Sequence, residues 1–166
     1  MKLPRIDYLE AKTVKEACAL LARGDVLPVA GGTDLVPSMK HRVKAPAAVV
    51  NLKAVEGLNY ITYSDKDGLR IGGLATLRDL QQNKAVQQKY PALCQAAASV
   101  GTIQLQNMGT VAGNLCLDTR CYYYNQSSFW RSARPACYKA GGEVCHVVKR
   151  SDKCWACYSG DTAPAF

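Results

Sequence analysis

Apolar residues recur at helical spacing through VKEACALLAR (residues 14–23), which predicts a helix there. Thr13 suits its N-cap, Glu16 stands three residues on, and Gly24 supplies a stop. An apolar run, VLPVA, follows as a strand and breaks at GGTDL, and a helix containing Val36 to Arg42 comes next. AVVNL (48–52) predicts a second strand. In GLNYITYSDKDGLRIGGLATL, residues 59–63 and 69–73 favour strands around an SDKDG turn, with Gly68 suited to positive φ. Thr76 reads as the N-cap of TLRDLQQN, and Pro91 opens a helix over 91–100 that ends at Gly101. GTIQLQNMGTVAGNLC carries glycines at 101, 109 and 113, which suggest a second place where backbone must come close to something, and NMGTVAGN (107–114) reads as a glycine loop. From 117 to 158 no period holds, and cysteines, aromatics and basic residues alternate irregularly.

A chain of 166 residues with ordinary hydrophobic (48%) and charged (20%) content is long enough to bury a core. No apolar run approaches the roughly 18 residues of a bilayer span, so no membrane partner is expected. MKLPRIDYLEAKTVKEA has no secretory apolar region, and a cytoplasmic location is the expectation. The net charge of +8 is spread along the chain: residues 1–115 hold 14 basic and 9 acidic side chains, and residues 116–166 hold 7 and 4. Without a block of like charge, nucleic acid is not an expected partner.

Two stretches carry candidate binding chemistry. In VAGGTDL, from Val29 to Leu35, glycines after a strand can expose successive N–H groups to a diphosphate. Thr33 adds a hydroxyl, while Asp34 suits a helix cap or a sugar-like hydroxyl better than a phosphate. In NMGTVAGN (107–114), Thr110 and Asn114 accompany a second pair of glycines. Either stretch alone is equally a structural turn, and the G-x-G-x-x-G fingerprint is absent. Together they favour a ligand with both a diphosphate and a polyol.

Eight cysteines divide into two groups. Cys18 and Cys94 sit in apolar helical patterns and are expected to be buried free thiols. Cys116, Cys121, Cys137, Cys145, Cys154 and Cys157 fall in the last third of the chain, a density that argues for metal or redox chemistry in a reducing compartment. Zinc and iron–sulfur ligation both fit the spacing, with a disulfide or a catalytic Cys154-x-x-Cys157 pair as lesser readings. His146 is expected to face solvent, and no nucleophile–base constellation stands out.

VAGGTDLV, IGGLATLRDL, NMGTVAGNLC and SGDTAPAF, in that order, resemble the FAD-binding subunit of the molybdenum hydroxylases, the xanthine dehydrogenase and carbon monoxide dehydrogenase type of flavoprotein. Within the family the likeness is to the medium (β) subunit of 4-hydroxybenzoyl-CoA reductase, because a cysteine-rich insert follows NLC. The resemblance implies an α+β fold of the vanillyl-alcohol-oxidase/molybdopterin-dehydrogenase FAD-binding type. It would consist of one sub-domain over 1–55 and a truncated second over 56–166, with an irregular insert at 117–158.

It further implies FAD held by Val29, Ala30, Gly31, Gly32, Thr33, Asp34 and Leu35 in one pyrophosphate loop and by Gly109, Thr110, Gly113 and Asn114 in the other. Thr76 would be a further contact, and Asp161 would bond the ribityl chain. Ala112 stands where the family has glycine, which requires a negative φ there. The insert would hold a [4Fe–4S] cluster on Cys121, Cys137, Cys145 and Cys154, leaving Cys157 a spare thiol.

The implied function is electron transfer in a molybdenum-dependent oxidoreductase, with no catalytic residue on this chain. The implied partners are a molybdopterin-containing large subunit, a [2Fe–2S] small subunit and a ferredoxin-like electron donor or acceptor. Because the family subunit is about twice as long, a second polypeptide that completes it is a further candidate partner. Two other readings stand beside this one: a zinc-stabilised binding module without activity, and an inactive fragment of the flavoprotein subunit.

Overall fold

A computed structural model of the protein describes residues 2–166. Residues 6–33, 46–116 and 160–166 form one compact unit. The N-terminal residues through Arg5, with 34–45 and 117–159, form the other, and each is described in its own frame below.

The larger unit begins with a parallel sheet. Strands β1 (Asp7–Glu10) and β2 (Val26–Val29) flank β3 (Ala48–Asn51), so β3 is central. Its Ala48, Val49 and Val50 are all buried, as an apolar run on a central strand requires. Pro28 is tolerated because β2 is an edge strand, where a missing N–H donor breaks no ladder. β1 was not predicted: DYLE is polar and largely exposed, and it becomes a strand through pairing with β3. Helix α1 (Val14–Leu21) starts at Thr13, whose hydroxyl accepts the Glu16 N–H at 3.1 Å, and Gly24 follows it at φ +102°. Ala11, Ala17, Val50 and Val55 form the core beside this sheet.

The hairpin forms as predicted. β4 (Ile61–Ser64) pairs antiparallel with β5 (Gly68–Ile71), and Gly68 has φ +71°. Helix α3 (Leu77–Gln82) begins with a full capping box, in which the Thr76 hydroxyl accepts the Asp79 N–H and the Asp79 carboxylate accepts the Thr76 N–H. Asn83 then ends α3 and, by accepting the Ala85 and Val86 N–H groups, starts α4 (Lys84–Lys89). Pro91 opens α5 (Pro91–Ser99) as expected.

The glycine loop expected at 107–114 is short, because it joins two helices, α6 (Ile103–Met108) and α7 (Val111–Leu115), capped by Thr102 and Thr110. Glycine content hid them, but tertiary contacts hold them. Gln106 is buried, with its amide donating to the Ala98 and Val100 carbonyls and accepting from Gln81. Leu77, Leu80, Val86, Leu93, Ala97 and Val111 make the second core. Each fully buried aliphatic side chain contributes about 1.5–3 kcal/mol. The two early cysteines differ from expectation: Cys18 is exposed on α1, and Cys94 is half-buried, donating to the Gln81 carbonyl.

The cysteine-rich unit has little regular structure. It contains α2 (Leu35–Lys40), α8 (Ser128–Ser132) and a single 3₁₀ turn at Tyr138–Ala140. Its order comes from isolated backbone pairings and side-chain ties. The Arg131 guanidinium donates to the Arg42 carbonyl at 2.7 Å, and the Ser128 N–H donates to the His41 carbonyl at 3.0 Å. The fold also gathers charge that is dispersed along the chain. This unit holds twelve basic and four acidic side chains, and the larger unit holds nine of each, so the whole excess of +8 belongs to the cysteine-rich unit.

At the centre of that charge Asp118 accepts from two lysines, Lys139 at 2.8 Å and Lys44 at 2.9 Å. The Lys139 hydrogen bond, aided by Lys44, holds its carboxyl down at about 2, against about 3.9 for an unperturbed aspartate. A carboxylate depressed in the folded state stabilises that state above pH 4 and loses its contribution as pH falls from about 4 to about 2. Asp118→Asn is therefore expected to be less stable than the parent at pH 7 and to converge with it near pH 2. Urea titrations across that range check this.

No helix among the described residues is long and apolar enough to cross a membrane.

Candidate functional site: two abutting glycine loops and a cavity lined by four cysteines

In the larger unit the two glycine stretches meet. β2 delivers the chain to Ala30 and Gly31, and α6 delivers it to Met108 and Gly109. A methyl group placed on Gly31 would lie 1.8 Å from the Met108 carbonyl oxygen and 3.2 Å from Gly109 Cα, so a hydrogen there is a condition of contact. Gly32 adopts φ +70°, a conformation that favours glycine. Thr33 Oγ1 lies 3.7 Å from where a Gly109 side chain would begin.

The second loop is fastened to the segment before α3. The Leu77 N–H donates to the Gly109 carbonyl, the Val111 N–H to the Ala75 carbonyl and the Ala112 N–H to the Gly73 carbonyl, all at 2.9–3.0 Å. Thr76 and Thr110 face each other in an antiparallel bridge. Both hydroxyls act as N-caps, Thr110 accepting the Gly113 N–H at 3.2 Å. A hydroxyl that accepts in a cap retains its own O–H as a donor. Ala112 lies in α7 with negative φ, and its methyl meets the bare face of Gly73, so the missing glycine strains nothing.

Asn114 joins this loop to the C-terminal SGDT stretch. Its Oδ1 accepts from the Thr162 N–H at 2.9 Å and from the Thr162 hydroxyl at 2.6 Å. Thr162 is fully buried, which leaves neighbouring Asp161 held at the surface. The structure thus brings Gly31, Gly109, Thr76, Thr110, Gly113 and Asn114 into one connected arrangement, with Asp161 at its flank. Asp34 and Leu35 fall in the other unit. Asp34 does not cap α2 through its side chain, contrary to one expectation, because its carboxylate accepts from the Arg120 guanidinium at 2.6 Å.

In the cysteine-rich unit, backbone pairings bring distant segments together. The Arg120 and Cys157 backbones exchange two hydrogen bonds, at 2.7 and 2.9 Å, which sets 154–157 beside 120–121. Tyr138 N–H donates to the Val144 carbonyl, and Gly142 N–H to the Cys137 carbonyl, which returns Cys145 towards Cys137. Gly142 serves this turn because any side chain would strike the Ala136 carbonyl. As a result Cys121, Cys137, Cys145 and Cys154 line one small cavity of about 20 Å³, and Cys116 and Cys157 are not in its lining.

The Val148 N–H approaches Cys145 Sγ at 3.4 Å and holds its thiol below the ordinary value, with the Val147 and Trp155 N–H groups adding to the effect. The Ala156 N–H approaches Cys154 Sγ at the same distance. Among the described residues no three Cys, His, Asp or Glu side chains converge on a single-ion site. His146 lines the same cavity instead of facing solvent: its Nε2–H donates to the Pro135 carbonyl at 2.9 Å and its ring stands against Tyr123. Sequence reasoning missed Lys139 and Tyr124 in that lining, since neither has a spacing signal.

Residues 4–166 match the family described as the FAD binding domain in molybdopterin dehydrogenase, and the chain belongs to that family. It is 34% identical over 111 residues to the glyceraldehyde dehydrogenase medium chain of Sulfolobus acidocaldarius, covering 66% of this chain and 39% of that protein. It is 33% identical over 147 residues to the aldehyde oxidoreductase FAD-binding subunit of Escherichia coli, covering 82% and 44% respectively. That second match is too long to end before the cysteine-rich segment. Among solved structures, carbon monoxide dehydrogenase from Oligotropha carboxidovorans superposes with a TM-score of 0.65 at 31% identity, over 69% of this chain and 40% of that one. The chain therefore spans about two fifths of the length of these relatives. The fold is the mixed helix-and-sheet FAD-binding domain of this family, and FAD is the cofactor of that domain.

Proposed function

We propose that the chain is the flavin-binding, electron-transferring part of a molybdenum-dependent oxidoreductase, with an iron–sulfur cluster in its cysteine-rich unit. The observation that carries the flavin reading is the abutment of the two glycine loops at Gly31 and Met108. Backbone N–H groups at Gly31 and Gly32 would bind the FAD diphosphate, with Val29, Ala30 and Thr33 shaping the first loop, while Gly109 and Gly113, whose N–H groups donate to the Leu105 carbonyl and the Thr110 hydroxyl, would shape the second. The Thr76 and Thr110 hydroxyls donate onward, and Asn114 holds Thr162 so that Asp161 can accept from a ribityl hydroxyl. Asp34 and Leu35, next in sequence, are the remaining residues of the proposed first loop, and the Asp34 carboxylate accepts from the Arg120 guanidinium. The division into sub-domains near residue 55 is supported by the two cores, one built from residues up to Leu58 and the other from Ile61 onward.

The iron–sulfur reading rests on the four cysteines that line one cavity. Two of these cysteines receive N–H···S hydrogen bonds, and those at Cys145 favour its thiolate, the ligating form. When bound, the cluster supplies one-electron transfer and FAD supplies the exchange between single electrons and pairs. Substrate chemistry would belong to a molybdopterin-bearing large subunit, with a [2Fe–2S] small subunit between. A 4-hydroxybenzoyl-CoA-type reductase fed by a ferredoxin-like carrier is the specific form favoured by the cysteine-rich insert.

Protein purified without oxygen is expected to show flavin bands near about 450 nm over a broad absorption that dithionite bleaches, the signature of a thiolate-ligated iron–sulfur cluster. A colourless preparation with stoichiometric zinc would overturn the reading. Iron without flavin would show that this length of chain does not retain FAD unaided.

A further inference from the structure

A second cavity lies wholly within the cysteine-rich unit and has a volume of about 320 Å³. That is room for a small organic ligand, since such sites begin at about 300 Å³. Arg131 and Arg134 both line it, and they leave one turn of chain, in which the Arg134 N–H donates to the Arg131 carbonyl at 3.1 Å. The Arg131 guanidinium is anchored on the Gln126 and Arg42 carbonyls, which leave its other N–H donors and its charge unmatched. The Arg134 guanidinium lies 3.9 Å over the Trp130 ring and makes no hydrogen bond to the protein among the described residues. Among those residues neither arginine pairs with an acid. Asp34 is held by Arg120 and Asp118 by Lys44 and Lys139, while Glu143 and Asp152 are outside the lining. Rings form the rest of the recognition surface, with Tyr123 standing 6.1 Å from Trp130 and 5.6 Å from His146.

We propose that this cavity binds a small aromatic anion: a carboxylate or phosphate held by Arg131 and Arg134, on a planar ring packed against Tyr123, Trp130 and His146. The proposal is independent of the flavin and iron–sulfur readings, because the lining contains no residue of the glycine loops and a single cysteine, Cys137, whose chemistry the binding does not use. Two like charges on one turn of chain raise each other's energy, and an anion shared between them relieves this. Stacking on Trp130 covers the face of the Arg134 guanidinium and leaves its N–H edge for the paired oxygens of a carboxylate or phosphate. It also restrains the side chain before a ligand arrives, which lessens the entropy lost on binding. The excess of +8 in this unit draws in any anion, so the rings are what make the site selective.

Isothermal titration calorimetry on the full chain, with whatever subunits accompany it, tests both halves of the recognition. Phenyl phosphate and benzoate carry one ring on two different anions, inorganic phosphate and acetate are the anions alone, and benzamide is the ring without charge. Saturable binding of phenyl phosphate or benzoate is expected, and the tighter of the two identifies the oxyanion that the site takes. The ring-free anions and benzamide are expected to bind at least about tenfold more weakly, since each lacks one half of the ligand. Arg134→Gln is expected to weaken the aromatic anion on the order of tenfold, by loss of a charge-assisted pair, which localises binding to this cavity. Lys149→Gln removes the same charge from the same unit outside the lining and is expected to change affinity by less than about twofold. The ligand series is measured on the parent protein, so it stands even if a variant fails to fold. Absence of saturable binding for both aromatic anions would overturn the proposal. So would inorganic phosphate or acetate binding as tightly as its aromatic counterpart, or equal losses in Arg134→Gln and Lys149→Gln, which would reduce the effect to general attraction by a basic unit.

Discussion

Gly31→Ala is expected to abolish FAD retention and to lower the stability of the larger unit. The added methyl would lie 1.8 Å from the Met108 oxygen and 2.6 Å from its carbonyl carbon, and both are backbone atoms with no rotamer in which to retreat. Met108 cannot move alone, because Gly109 behind it is tied to Leu105 by its N–H and to Leu77 by its carbonyl. The loops must therefore part. Overpacking of this kind costs about 1–3 kcal/mol, and the same displacement opens the surface proposed for the diphosphate. Gly24→Ala provides the contrast. Gly24 has φ +102° with nothing near its missing side chain, so alanine there strains the backbone by about 1 kcal/mol but leaves the loops together. Flavin per chain after gel filtration, alongside thermal melts, separates the two. A Gly31→Ala protein with full flavin and the parent melting temperature would sink the proposed site.

On the proposed iron–sulfur reading, Cys154→Ser is expected to lose iron and Cys157→Ser to retain it, although the two residues form a C-x-x-C pair. Cys154 lines the cavity with Cys121, Cys137 and Cys145 and receives the Ala156 N–H. Cys157 is outside that lining: its backbone binds Arg120 and its thiol donates to the Trp155 carbonyl. Replacing Cys154 would remove a quarter of the proposed cluster's protein ligation, whereas replacing Cys157 alters one weak hydrogen bond. Iron assays on anaerobic protein decide it. Equal loss in both would point back to a site built on the C-x-x-C pair.

Much of the local structure was legible because it depends on neighbours in sequence. Thr13, Thr76 and Pro91 start helices, and Gly68 turns the hairpin, by interactions contained within a few residues. β1 was not legible, since DYLE has no strand pattern of its own and gains its partner from β3 some forty residues on. α6 and α7 were hidden behind glycines whose reason is contact with Gly31 and Thr110, not flexibility. Cys18 shows the opposite error, in which an apolar helical neighbourhood suggested burial on a face that remains exposed.

The ordered motifs by themselves determined which family this chain belongs to, and which glycines and cysteines to watch, because residue type at fixed spacing carries that information. Only the tertiary structure decided that the two glycine loops touch, that the Asn114 amide oxygen holds Thr162, and that Arg120 takes the Asp34 carboxylate. It also gathered the dispersed positive charge into one unit and set Lys139 in the wall of the cysteine cavity. These are contacts between residues 21 to 86 positions apart, set by backbone pairing and packing and recorded in no local pattern.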